Sequence, residues 1–376
     1  MKPVDVVILG GGPAGLATGI AARRKGLSAT VVDCAGPPID KTCGEGLLPA
    51  AVSALAELGI TLDPHLGIPF KGIRFSDEKS SAEARFASGH GIGLRRDELH
   101  RMLVDRAAAA GVSLRWGARV SEIQRDGLRI EGEFHRCRWL IGADGHRSAV
   151  RKAAGLDPTR LARRLRFGFR RHFAVAPWSE MVEVYWGERV QLFITPTGAE
   201  DVCVVALTSD PHLRLDRALA RFPRIAARLR RARAVGRETG AVTCFSRARR
   251  VAWGNIALVG DASRSIDAIS GQGLSMAFQE AIALAGAMAS GSLADYQSAH
   301  ACVTNNPARM TRLLMLMHGN ATFRRMALKT LSSCPWLFST LMSIHAGGAR
   351  VAHNDVMGQQ LGGKVANLDD RLWEHN

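Results

Sequence analysis

The chain predicts an α/β fold in which a parallel sheet is interrupted by an antiparallel sheet and followed by a C-terminal helical segment. Three observations predict it. A β-branched apolar run at 4–9 meets the glycine-rich turn Gly10-Gly11-Gly12-Pro13-Ala14-Gly15 at the head of a helix. Two further glycine–aspartate stretches, Gly142-Ala143-Asp144-Gly145 and Gly260-Asp261 with Gly271-Gln272-Gly273, follow short apolar strands much later. Between them lies a strand-rich block flanked by arginine-rich runs.

The first unit carries its own chemistry. Residues 4–9 read as a buried parallel strand, and 14–24 have helix-forming composition. Gly10, Gly12 and Gly15 give the G-x-G-x-x-G spacing at the strand-to-helix turn. Gly10 permits the tight turn, Gly12 lets a pyrophosphate approach the backbone, and Gly15 lets helix pack on strand. Pro13 and Ala14 open the helix, whose free N–H groups and positive dipole end suit phosphates. A second strand at 28–32 ends in Asp33, about 20 residues on, where a carboxylate can hold ribose hydroxyls. This unit implies a bound dinucleotide.

The remaining elements follow in order. A loop at 35–49 contains Cys43-Gly44-Glu45-Gly46-Leu47-Leu48-Pro49, and a helix follows at 49–58. Residues 70–86 hold strand-like pieces. Leu99, Leu103 and Ala107 mark an amphipathic helix at 96–111. Strands are expected at 113–116, 118–123, 128–133 and 139–141, the last delivering Gly142 and Asp144 to its C-terminal edge. The segments 167–173, 181–186, 190–194 and 203–207 would make the antiparallel sheet. Helix is expected at 213–233, a buried strand at 256–259 and a long helix at 275–289. Beyond about 300 the chain reads as helical, with Leu313, Leu314, Leu316 and Met317 giving an apolar stripe. The expected organisation is a discontinuous nucleotide domain (1–69, 91–160, 250–300), a substrate domain (70–90, 161–249) and a helical region (301–376).

Composition bounds the function. At 376 residues with 47% apolar content, the chain can bury one large core or two. No apolar run reaches about 18 residues, and the chain enters a strand without a signal peptide, so a cytoplasmic location is expected. Seven cysteines without a CxxC pair suggest neither a zinc site nor a disulfide framework; most are expected to be buried packing residues. The formal charge of +16 comes mainly from arginines at 160–171 and 221–250. It suits an anionic membrane surface or an acidic protein partner, or reflects arginine-biased composition alone. No nucleic-acid module accompanies it, so nucleic acid is not expected.

Taken in this order, the three stretches resemble those of flavin-dependent enzymes of the para-hydroxybenzoate hydroxylase fold, over roughly residues 1–300. That superfamily includes aromatic hydroxylases, geranylgeranyl reductases and flavin halogenases. The resemblance implies a Rossmann-like FAD-binding domain interleaved with a substrate domain. FAD would be held by Gly10, Gly12, Pro13, Ala14, Gly15 and Asp33. Arg96, in Arg96-Asp97-Glu98-Leu99, would reach the FAD phosphates, with Arg95 as the near alternative, and the Val120 backbone would meet the adenine. Asp261 would bond the ribityl chain, and Gly271, Gln272 and Gly273 would face the flavin edge, where a helix N-terminus stabilises reduced flavin. Asp144 is expected to cap the following helix as much as to touch cofactor. One departure is that Asp267-Ala268-Ile269-Ser270 stands where many relatives have a proline before the turn.

Within this resemblance the first reading is an NAD(P)H-dependent monooxygenase. It would hydroxylate an electron-rich aromatic substrate, large, lipid-tailed or carrier-bound, through a flavin C4a-hydroperoxide. The alternative is a reductase of prenyl-type double bonds, which the Cys43-Gly44-Glu45-Gly46 loop also resembles. A flavin-binding protein without turnover is a distant third. The tryptophans of a halogenase are missing from 190–196. Glu45 is the candidate general base or substrate-orienting group, and Cys43 the candidate reactive thiol beside it. His146 and His172 are set aside as structural or solvated. The segment 309–341 can pack as core against the substrate domain, cap the substrate pocket, form a dimer surface or lie on a membrane.

Overall fold

The computed structural model describes residues 4–63, 65–157 and 165–346. Expectations for 158–164, within the first arginine-rich run, and for 347–376 of the helical region lie outside the described residues.

The parallel sheet is built outward from Val4–Leu9. Ala29–Val32 pairs with it on one side and Glu133–Gly142 on the other, both parallel. Ser113–Arg115 extends the first side and Ile256–Leu258 the second, again parallel. The register aligns Leu9 with Gly142, and Gly142 with Leu258. Three distant strands therefore stop at the same edge, and the glycine turn, Ala143-Asp144 and Val259-Gly260-Asp261 all emerge there. Ligands of open parallel sheets bind at this carboxyl edge.

Helices Pro13–Arg24, Pro49–Glu57, Arg96–Ala109 and Gly273–Ala289 contribute to one apolar core with that sheet. Its fully buried members include Ile8, Leu16, Ile20, Leu55, Leu103, Phe278 and Leu284. At about 25 cal/mol per Å² of apolar surface removed from water, such side chains each contribute roughly 1.5–3 kcal/mol.

A second sheet runs in the order Arg233–Cys244, Leu165–Ala174, Asp201–Thr208, Val190–Gly198, Met181–Gly187, Gly72–Ser76, Ser81–Arg85. It is antiparallel except where Met181–Gly187 meets Gly72–Ser76, which pair parallel across a long connection. Over this sheet lie the last helices, Tyr296–Gly319, Ala321–Ser333 and Pro335–Ala346. Leu314, Leu328, Leu331, Phe338 and Met342 share an apolar cluster with Phe75, Val184 and Trp186 of the sheet. The inner side of 309–341 therefore packs against the substrate sheet.

Several expectations are corrected. Residues 213–233 are not one helix: Leu215–Leu219 and Pro223–Leu229 are separate short helices, because Pro223 starts a new one. Arg233–Cys244, anticipated as no element of its own, is a long strand at the sheet edge. Half-exposed and rich in Arg, Glu and Gly, it lacks the two-residue alternation that marks a strand. Residues 128–133 turn at Glu131-Gly132, both left-handed, so Glu133 begins the next strand. Only Cys137 and Cys203 are buried; Cys34 and Cys302 are exposed.

The glycine turn is tight enough to test. A Cβ on Gly15 would lie 1.8 Å from the Gly10 carbonyl oxygen, so helix and strand could not keep their spacing. Gly15→Ala is expected to cost roughly 1–3 kcal/mol or more by overpacking, read as a lowered urea midpoint at unchanged m-value. Wild-type stability would contradict the close approach.

Candidate FAD and substrate site

One cavity of about 780 Å³ runs from the carboxyl edge of the parallel sheet to the second sheet, a size in the range of ligand sites. Gly10, Gly12, Pro13, Ala14, Asp33, Arg96, Val120, Asp261, Gly271, Gln272 and Gly273 all line it, as do Cys43 and Glu45. Gly15 does not line it and packs behind the turn against Gly10.

At the glycine turn, Gly10 has φ +114, a backbone that side chains resist. Gly12 has open space where a Cβ would stand, as the approach of a phosphate requires. Asp33 accepts the Gly11 N–H at 2.7 Å and the Ala35 N–H at 2.8 Å, so its carboxylate ties turn to strand end. His100 Nε2 lies 2.9 Å from the Gly11 carbonyl oxygen. A carbonyl only accepts, so the proton is on Nε2, and burial keeps this histidine neutral by lowering its pKa. His100 lies one helical turn beyond Arg96; sequence reading missed it, although the i, i+4 spacing was the signal.

Arg96 opens the helix Arg96–Ala109 and is buried, yet its Nε has no partner. An orphaned guanidinium nitrogen on the wall of a cavity fits an anionic ligand such as a dinucleotide phosphate. Arg95, the near alternative, sits outside the helix start with its Nε 3.9 Å from Asp201.

The middle stretch is scaffold. Asp144 accepts the Ala149 N–H at 2.6 Å and the Val150 N–H at 3.3 Å, with Ser148 capping Arg151 at 3.0 Å. The expected capping role is what the aspartate performs, although it also borders the cavity.

The late stretch is held from below. Glu280, fully buried on the helix Gly273–Ala289, accepts the Gly260 N–H at 2.6 Å and lies 3.0 Å from the Ser263 hydroxyl. Burial pushes its carboxyl up to about 8. Asp261, on the turn so anchored, pairs with Lys41 at 2.9 Å. Gly271 is left-handed at φ +65, and Gln272 donates to the His345 carbonyl oxygen at 2.6 Å, fastening the turn to the last described helix. Where a proline was missing, Asp267 supplies the rigidity. It accepts from Ile269 N–H at 3.0 Å and from buried Arg166 at 2.9 Å.

Glu45 is the least expected feature. Its backbone is left-handed at φ +58, uncommon for a residue with a side chain, and its side chain is 1% exposed. Oε1 accepts from Arg170 at 2.7 Å and from the Arg96 N–H at 3.0 Å, and Oε2 is 3.1 Å from His172 Nε2. His172 Nδ1 in turn lies 2.9 Å from Asp201, and Arg170 reaches Asp40 at 2.6 Å. Burial works against the charge on His172, but hydrogen bonds to Asp201 and Glu45 prevail and raise it to about 9. The loop is pinned again by Thr195, donating to the Gly44 carbonyl at 2.7 Å, and by Leu94 N–H to the Glu45 carbonyl at 2.9 Å. Cys43 accepts the Glu45 N–H at 3.4 Å. Glu45, His172 and Cys203 lie close enough to bind a metal ion. Arg170 already takes up the carboxylate, and burial raises the Cys203 thiol, so the cluster is an ion-pair network. His172, set aside on sequence, is therefore a central member. Its signal was its alternation with Arg170 on one strand face, legible only once Glu45 is known to lie opposite.

Among solved structures, the chain superposes on a flavoprotein/dehydrogenase from Cytophaga hutchinsonii with TM-score 0.77, at 19% identity, over 92% of this chain and 93% of that one. A geranylgeranyl bacteriochlorophyll reductase-like protein from Thermoplasma acidophilum gives TM-score 0.70 at 22% identity, over 92% of each chain. At these identities the likeness shows the fold. Among curated proteins, the menaquinone reductase of Mycolicibacterium smegmatis is 28% identical over 321 residues, 78% of each chain. The rifampicin monooxygenase of Rhodococcus hoagii is 30% identical over 159 residues, 39% of this chain and 33% of that protein. The model of the FAD binding domain family matches residues 3–292, from the first strand through the helix that follows the late glycine turn, and the chain belongs to that family of FAD-dependent oxidoreductases.

Proposed function

We propose that this protein is an NAD(P)H-dependent FAD monooxygenase that hydroxylates an electron-rich ring carrying an apolar tail. The observation that carries this is the buried cluster around Glu45, set at a corner of the cavity beside a wall of apolar side chains. Phe70, Ile73, Phe75, Val182, Val184, Phe193 and Leu314 supply the apolar wall, while Glu45 and Thr195 supply the polar corner. Phe193 and Thr195 alternate on one strand, so a ring hydroxyl bound near Thr195 and Glu45 leaves its tail along the aromatic wall. A plain hydrocarbon substrate would not require a buried carboxylate paired with Arg170 and His172.

Bound in this site, FAD supplies two-electron redox chemistry and the activation of oxygen. The chain's own residues bind and orient. The glycine turn and the N-terminus of Pro13–Arg24 would meet the pyrophosphate, Arg96 would add a cation, and Asp33 would hold a ribose. Asp261 is the candidate for the ribityl chain, and the turn Gly271-Gln272-Gly273 offers N–H groups and a helix N-terminus to the flavin edge. Glu45 accepts a hydrogen bond from the substrate hydroxyl and raises the electron density of the ring. Cys43 shapes the wall beside it.

The second reading is hydride transfer to a double bond in an apolar chain. It is favoured by the menaquinone reductase relative, because that match extends over 78% of both chains whereas the monooxygenase match covers 39% of this one. Oxygen separates the two. In air, the FAD-loaded protein is expected to consume NAD(P)H and O2 together when given a long-chain phenol and to yield the hydroxylated ring. Product formed from a prenyl chain without O2 would replace this reading with the reductase. Inertness toward both substrates would sink both.

Glu45→Gln is expected to lower kcat on the phenol by on the order of 10²-fold while the flavin spectrum stays that of loaded protein. An unchanged kcat would remove Glu45 from the chemistry.

The network also makes a pH prediction. The His172 pKa stands above its ordinary value of 6.5, at about 9, so its stabilisation is complete below about pH 6.5 and is lost as pH rises through 9. The shift corresponds to roughly 3 kcal/mol. Urea denaturation at pH 6, 7.5 and 9.5 should show this fall in wild type and a flatter profile in His172→Gln. Parallel profiles would contradict the assignment.

A further inference from the structure

The structure assigns a partner to the outer face of the C-terminal helices: an anionic phospholipid surface. The inference stands on different residues from the proposed hydroxylation and does not depend on it.

From Tyr296 to Ala346 the sequence contains no aspartate or glutamate, while it contains Arg309, Arg312, Arg324, Arg325 and Lys329. Arg324 turns inward and donates to the Met317 carbonyl at 3.1 Å. Arg309, Arg325 and Lys329 are exposed. Large apolar side chains share this exposure: Trp336 is 70% exposed, Leu316 62%, Met326 60% and Ile344 47%. Trp336 is the most exposed of the large hydrophobic residues among the described residues, and these four are half of that group.

Their arrangement follows from helical spacing. Ala321–Ser333 and Pro335–Ala346 both pack against Ser81–Arg85, the first through Leu328 and Leu331, the second through Phe338 and Met342. Their outward sides therefore face the same way. On the first, Arg325, Met326 and Lys329 form one stripe; on the second, Trp336, Thr340 and Ile344 follow at four-residue spacing. Apolar and aromatic tips flanked by long cationic stems, with no acid between them, match the boundary between lipid headgroups and acyl chains. There the indole and thioether can enter the apolar layer while arginine and lysine reach phosphates.

Charge decides between occupants. A two-fold pairing with a second copy would set Arg325 and Lys329 against their own equivalents, with no carboxylate among the described residues of these helices to compensate. An anionic bilayer meets both halves of the pattern. Inside the same layer, Leu314 and His345 line the cavity, so a docked protein would hold its apolar chamber close to the membrane. Among the described residues no helix is long and apolar enough to cross a membrane, so the contact would be peripheral.

The test is co-sedimentation of full-length, FAD-loaded protein with phosphatidylcholine vesicles containing about a third phosphatidylglycerol, against pure phosphatidylcholine. Binding is expected on the anionic vesicles, weakening as salt rises. Trp336→Ala with Met326→Ala should weaken partitioning by at least about tenfold, and Arg325→Glu with Lys329→Glu should abolish it. Flavin absorbance and far-UV circular dichroism confirm that each variant is folded. Equal retention on both vesicle types, no retention on either, or insensitivity to these substitutions would overturn the inference. So would light scattering that shows a dimer which dissociates with Trp336→Ala.

Discussion

A carboxylate shut away from water is the constraint around which the site is arranged. Glu45 is buried on a left-handed backbone, and an ionised carboxylate in such a place is costly unless paired and hydrogen-bonded. Arg170 and His172 come from the second sheet, and the Arg96 N–H comes from a helix on the parallel sheet. Satisfying one side chain thus joins the two halves of the fold at the wall of their shared cavity. The same contact places Arg96, a residue of the cavity wall whose own guanidinium is left with an unpartnered nitrogen.

The flavin end is organised by register rather than by charge. Leu9, Gly142 and Leu258 stand side by side, so three turns emerge at one edge. Each turn is then fixed from behind by a different device: His100 and Asp33 at the first, Asp144 capping at the second, and buried Glu280 at the third. The remaining flexibility at Gly271 is limited by Asp267 with Arg166 on one side and Gln272 with His345 on the other. Backbone N–H groups at a helix N-terminus can stabilise negative charge only when held in place, and these side chains hold them.

Much of this was legible in the sequence. Strand period, glycine spacing and acid placement are local signals, and they located the nucleotide unit, the capping role of Asp144 and the strands at 167–207. The edge strand Arg233–Cys244 was hidden because one of its long sides meets solvent and its polar residues carry no alternation. The partners of Glu45 were hidden for another reason. Arg170 and His172 lie more than a hundred residues away, and Asp201, which holds His172 in turn, meets it only through the pairing of Leu165–Ala174 with Asp201–Thr208. A histidine read alone carries no sign of the carboxylates on either side of it.

The most direct test of this account is hydrogen exchange at residues 43–48 in wild type and in Arg170→Met, with FAD bound. Removing one partner of a buried ion pair costs about 3–5 kcal/mol, so exchange in this loop should rise by at least about 100-fold. The amides of the glycine turn should remain protected. A loop that exchanges as slowly without Arg170 as with it would contradict the claim that the shared carboxylate holds the site together.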